Sequence, residues 1–178
     1  MPKICDNTSV GVLIYRGDQL LMIERHNYPK AYALPAGHCD GDSFEKSAKR
    51  ESKEEVGLAI VISNPEFTNE VENPCKRQGG DHHSWKVYRT LEWSGKVKAG
   101  SDAKRFFWAS PKEVKRLAKR TEYFMEKYEI PYSRVGELTL AIFGNPQSAE
   151  QNRTDEEWYW GMGLEPVWYY IIKNIGII

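Results

Sequence analysis

Two apolar runs rich in β-branched residues, Val10 to Tyr15 and Leu20 to Arg25, flank the polar tetrapeptide Arg16-Gly17-Asp18-Gln19. That pattern predicts a β-hairpin. Shorter apolar pieces at Ala33 to Ala36, Ala59 to Ser63, Trp85 to Leu91 and Arg105 to Ser110 predict further strands. At Asp42 the stretch Asp-Ser-Phe-Glu predicts a helix start, with Asp42 as N-cap and Glu45 at the third helical position. Gly57 is placed to end that helix. A second helix is predicted after Ser110, with Pro111 at its first position, running to Tyr128. Strands alternating with helices imply an α/β (α+β) class with a mixed sheet.

From about Pro131 the texture changes. Polar loop material leads to a tail dense in aromatics: Trp158, Tyr159, Trp160, Trp168, Tyr169 and Tyr170. A capping box over Thr154 to Glu157 and a helix-opening Pro166 predict short helices. The expected organisation is a domain over residues 1–130 and a C-terminal helical extension, 131–178, packed on it. The aromatic rings are expected to seat the extension, with a lid or a homodimer face left open.

The chain has 178 residues, enough for a real core, with 25 Lys plus Arg balanced by 25 Asp plus Glu. That balance gives no reason to expect a membrane or nucleic-acid partner. Cys5, Cys39 and Cys75 are odd in number and widely spaced, which argues against a disulfide framework. Each reads as a small buried hydrophobe. No run is long enough for a membrane span or signal peptide, so a cytoplasmic location is expected.

The unusual chemistry lies in the last turn of the first helix. Neighbours on a helix sit three and four residues apart. Glu51 and Glu55 therefore face no cation at helical spacing, and Glu54 faces only Arg50. Like charges so placed cost roughly 0.2–0.5 kcal/mol per pair. They also stand at the wrong end of the helix dipole. Two readings follow: a solvated acidic helix end, or a site for a hard cation such as Mg²⁺, which takes oxygen ligands and leaves room for substrate phosphates.

The stretch Gly37 to Leu58 resembles the signature of the Nudix hydrolases, G-x5-E-x7-R-E-U-x-E-E-x-G-U, where U is a bulky aliphatic. Residues Arg50-Glu51-Ser52-Lys53-Glu54-Glu55-Val56-Gly57-Leu58 fit every fixed position except Ser52, where an aliphatic is usual. Asp42 replaces the first glutamate, and four residues rather than five separate it from Gly37. Alternatively, Ala36 stands at the glycine position and the spacing is intact. Ser52 is expected to face the core at some cost in packing.

The resemblance implies a Nudix-like α/β/α sandwich. It implies a metal-dependent hydrolase that cleaves a pyrophosphate bond in a nucleoside diphosphate linked to another group, by water attack at phosphorus. Mg²⁺ (or Mn²⁺) would be held by Glu51, Glu54, Glu55 and the Gly37 carbonyl, with Arg50 orienting a glutamate. Glu51 or a loop residue would be the general base. Family members often carry a further acid before a Trp-containing strand. Asp102 is the only acid there and is expected as an exposed loop residue. The alternative is a Nudix-fold binding module without turnover. Isopentenyl diphosphate isomerisation is a third possibility, but Cys39 sits in no matching motif.

The stretch from Asn73 to Tyr88 carries the candidate substrate residues Arg77, His83 and Trp85, with Lys76 beside them. Cations would meet phosphate and an aromatic would stack on a base; a polar loop followed by a half-buried strand is the plainer reading. His82 and His83 cannot share a metal, because neighbours on an extended chain point to opposite faces. The expected partner is a nucleotide-like small molecule, with capped RNA left open as a substrate.

Overall fold

A computed structural model of the protein describes residues 3–151 and 153–178. Strands β1 (Thr8–Arg16) and β2 (Gln19–Arg25) form the expected hairpin, turned at Gly17 with φ 62°. Only its closed end is paired strand to strand, Tyr15 with Leu20 and Arg16 with Gln19. Further along, the two strands part and other segments take their edges. β3 (Tyr32–Ala33) pairs with Ile23 and Glu24 of β2, and β4 (Ala36–Gly37) pairs with Val10 and Gly11 of β1. Gly37 thus emerges in the opening between the two strands.

The chain continues through α1 (Phe44–Val56), β5 (Ala59–Ile60), β6 (Pro65–Glu72), β7 (His82–Thr90), β8 (Trp93–Ser94) and β9 (Ala103–Ala109). It closes with α2 (Pro111–Tyr128), α3 (Val135–Phe143), α4 (Glu156–Tyr159) and α5 (Pro166–Asn174). β1 runs parallel to β7, while β6 with β7 and β9 with β2 are antiparallel, so the sheet is mixed. Alternation along β7 shows what covers each face. Lys86 lies over the Phe44 ring at 4.9 Å and Tyr88 donates to Glu45 Oε1 at 3.0 Å, both on α1. Trp85, of the opposite parity, meets Trp168 of α5 edge-on at 5.7 Å. Helices on both faces make an α/β/α sandwich.

Several elements differ from expectation. The cap of α1 is Ser43, not Asp42: its side chain accepts from the Lys46 amide, and its carbonyl from Ser47. Adjacent residues of equal capping preference leave that choice to the loop geometry. Glu45 is accordingly not in a capping box. The α2 start is as expected, with Ser110 and Glu113 capping each other and Pro111 in the first turn. β6 and α3 have no counterpart in the sequence reading. The cap of α4 is Asp155, one residue past the expected Thr154.

In the C-terminal segment Trp158 is wholly buried and its indole donates to the Lys30 carbonyl at 2.8 Å. Trp168 and Tyr169 are also buried, whereas Tyr159 is 54% and Trp160 89% exposed. Among the described residues no helix is long and apolar enough to cross a membrane.

Candidate active site

The inner face of α1 carries Ser47, Ala48, Glu51, Ser52, Glu55 and Val56. Helical spacing therefore buries two carboxylates and leaves Glu54, with a side chain 61% exposed, at the rim. Gly37 backs directly on Glu51, where a Cβ would collide with the carboxylate, so no other residue fits without displacing it. The neighbouring Ala36 amide donates to Glu55 Oε2 at 2.9 Å. Ser52 lies fully inside with its hydroxyl unpaired, as the missing aliphatic implies.

Glu51 is less isolated than helical spacing suggests. The Arg50 guanidinium curls back, placing Nη1 2.6 Å from Glu51 Oε1 and 3.5 Å from Glu54 Oε2, while Nη2 donates to the His38 carbonyl at 2.7 Å. Spacing rules describe Cβ directions, and a long arginine overrides them. Asp42 pairs with Lys46 at 2.6 Å and lies 4.0 Å from Arg50 Nε. Burial, reinforced by the neighbouring carboxylates, pushes Glu51 up to about 7 and Glu55 up to about 8. Arg50 does not offset this. The turn is thus short of positive charge, and its donors are all oxygen, the set a hard divalent cation takes.

A cavity of about 360 Å³ opens beside Ala36 and Gly37. Arg77 and Trp85 line it; Arg77 is paired with Asp40 at 2.5 Å. His83 does not: it is 1% exposed, and burial pushes its imidazole down to about 4. Asp102 is no exposed loop residue. It lines the cavity, accepts from Arg25 Nη2 at 3.2 Å and from Asn27 at 2.6 Å. Arg25 also reaches both oxygens of buried Glu165 at 3.2 Å. Although burial opposes its charge, Glu165 and Asp102 hold the Arg25 guanidinium firmly protonated. Arg25 and Glu165 escaped the sequence reading because they lie 140 residues apart and neither sits in a motif.

A family profile described as NUDIX domain matches residues 6–128. The chain belongs to the Nudix family. No curated protein matches it. Among solved structures, a MutT NUDIX hydrolase from Burkholderia pseudomallei is 22% identical, with a TM-score of 0.53 over 60% of this chain and 84% of that one. The dihydroneopterin triphosphate pyrophosphohydrolase of E. coli is 18% identical, with a TM-score of 0.54 over 66% and 87%. A NUDIX hydrolase from Clostridium perfringens is 21% identical, with a TM-score of 0.52 over 62% and 85%. These likenesses show the fold. The Nudix match stops at the end of α2, so Glu165 and Trp168, which line the cavity, lie outside it.

Proposed function

We propose that the protein is a metal-dependent Nudix pyrophosphohydrolase, cleaving a nucleoside diphosphate linked to another group by water attack at phosphorus. The observation that carries this reading is the cation-poor carboxylate turn seated against Gly37 at the edge of the cavity. The donor set fits Mg²⁺ or Mn²⁺: Glu51, Glu54, Glu55 and the Gly37 carbonyl would hold it. When bound, such an ion screens the substrate's phosphates from the carboxylates and makes water more acidic.

The chain's own residues supply the rest. Arg50 fixes Glu51 through Oε1, leaving Oε2 to take a proton from water. The Ala36 amide fixes Glu55 in the same way. Arg77 stands at the cavity as a cation for phosphate, and Trp85 with Trp168 gives an apolar wall for the remainder of the ligand. A second reading, a nucleotide-binding module without turnover, draws on the Arg50–Glu51 pair, which already neutralises one carboxylate.

A substrate panel separates the two. Nucleoside triphosphates, dinucleoside polyphosphates, ADP-ribose, NADH, nucleotide sugars and capped RNA are incubated with Mg²⁺ or Mn²⁺, and products are identified. Reaction in ¹⁸O-labelled water should place the label on a phosphate product. Tight nucleotide binding with no metal-dependent product would instead establish the binding module.

A further inference from the structure

We infer that the protein carries a second metal centre, a structural Zn²⁺ site built from Cys5, His38, Cys75 and His83. This goes beyond the proposed hydrolysis and does not depend on it. One donor atom from each of the four residues lies within 4.8 Å of all the others. Cys5 Sγ stands 3.7 Å from Cys75 Sγ and 3.3 Å from His83 Nε2. With zinc–sulfur bonds of about 2.3 Å and zinc–nitrogen bonds of about 2.0–2.1 Å, a regular tetrahedron has sulfurs about 3.8 Å apart and sulfur to nitrogen about 3.6 Å. Cys5, Cys75 and His83 are near these spacings in the two pairs given, and the remaining pairs, His38 included, lie within 4.8 Å. The sulfurs are far from the ~2.05 Å of a disulfide.

The surroundings are those of a metal site. Ser9 Oγ lies 2.7 Å from His83 Nδ1, so that nitrogen can donate outward and leave Nε2 facing the thiols. His38, whose ring meets His83 edge-on at 5.0 Å, has its Nε2 buried without a hydrogen-bond partner among the described residues. The Asn7 amide points to Cys5 Sγ at 3.4 Å. The loop after Cys75 wraps its thiol so closely that a Cβ at Gly80 would collide with the sulfur. Cys5 is tied to the same loop, donating from its amide to the Gln78 carbonyl at 2.9 Å.

The chemistry selects the ion. Two sulfurs and two imidazole nitrogens in tetrahedral array suit Zn²⁺. Binding releases both thiol protons, and the two thiolates cancel the charge of the ion, so the centre needs no buried counter-ion. Four protein donors leave no open position, which makes it structural. It joins the segment before β1, the residue that follows Gly37, the β6–β7 loop and the start of β7. The His38 carbonyl is the one that holds Arg50, so the centre braces the loop in front of the carboxylate turn.

The test uses the full-length protein produced with added zinc and dialysed into metal-free buffer without chelator. Elemental analysis should find one zinc per chain, and Co²⁺ exchange should give the intense visible bands of a tetrahedral ion with thiolate charge transfer. Cys75→Ser and His83→Ala should each lose the stoichiometric zinc. The Glu54→Gln/Glu55→Gln chain should keep it, which reads this site independently of the hydrolytic one. Free, titratable thiols with no bound zinc, or a Cys5–Cys75 disulfide, would overturn the inference. So would zinc retained in the Cys5→Ser/Cys75→Ser double variant. If the cysteine variants fail to fold, the wild-type cobalt spectrum decides alone: weak octahedral bands without thiolate charge transfer rule the site out.

Discussion

The carboxylate turn of α1 and the thiol–imidazole cluster meet at the Gly37–His38 step, and they are built in opposite ways. Glu51, Glu54 and Glu55 come from one helical turn, so their convergence is a matter of period. Cys5, His38, Cys75 and His83 come from separate parts of the chain, brought together by the sheet. One cluster is hard oxygen, with Glu51 and Glu55 buried and Glu54 at the rim. The other is soft sulfur and nitrogen, self-neutralising once metallated, with Cys5 and His83 buried and His38 and Cys75 at the cavity wall. The difference teaches that a local cluster can be read from spacing, whereas an assembled one needs the fold. It also predicts a division of labour, in which the first sets rate and the second sets rigidity.

The largest expected effect breaks or upholds that division directly. Glu54→Gln and Glu55→Gln should each lower metal-dependent hydrolysis by about 100-fold or more, since even outer partners of metal ligands are worth 10- to 100-fold. Above about pH 8, where Glu55 is ionised, their melting temperatures in Mg²⁺-free buffer should stay level or rise slightly, because a like-charge repulsion is removed. Near-normal turnover in both variants would end the metal-site reading.

Next in size is a pH effect in which the clusters pull apart. In the folded chain without Mg²⁺, Glu51 and Glu55 keep their protons to about 7 and about 8, against 4.5 for an ordinary glutamate. Unfolding then releases protons, so stability falls as pH rises through that interval. In the zinc-free chain His38 and His83 are pushed down to about 4 by burial, from 6.5. For them unfolding takes up protons, so stability rises with pH until about 6.5. Between pH 6.5 and 8 the glutamates dominate. The melting temperature should decline there, and added Mg²⁺ should flatten the decline; a rise without Mg²⁺ would contradict it.

Smaller effects probe how α1 is held. Ser43→Ala should cost about 1 kcal/mol in chemical denaturation through loss of the cap, and Asp42→Ala distinctly less. Equal costs would return the cap to Asp42. The smallest change expected is a gain: Ser52→Ala removes a buried, unpaired hydroxyl from a helix and should stabilise by roughly 0.5–1 kcal/mol. A loss would mean that Ser52 has a partner, such as a bound water.

What was legible in the sequence follows the same divide. The β1–β2 hairpin, both long helices and the acid turn are each encoded within one continuous stretch of at most 18 residues. β6 was invisible because only Phe67 and Val71 of its eight residues are buried, leaving no alternation to detect. α3 was invisible because its N-cap, Arg134, makes no side-chain cap bond and its sequence is nearly uniformly apolar. β3 and β4, two residues each, owe their existence to the edges left free where β1 and β2 part. Asp102 looked like a solvent-facing acid because Arg25, 77 residues away, is absent from its local sequence.

The contact between Gly11 and Trp168 carries a consequence for the shape of the cavity. A Cβ at Gly11 would run into the Trp168 ring, which reaches the sheet from a segment beyond the Nudix match. The two positions are therefore sterically coupled. A larger side chain at position 11 would unseat Trp168 and so reshape the cavity from a position that does not itself line it.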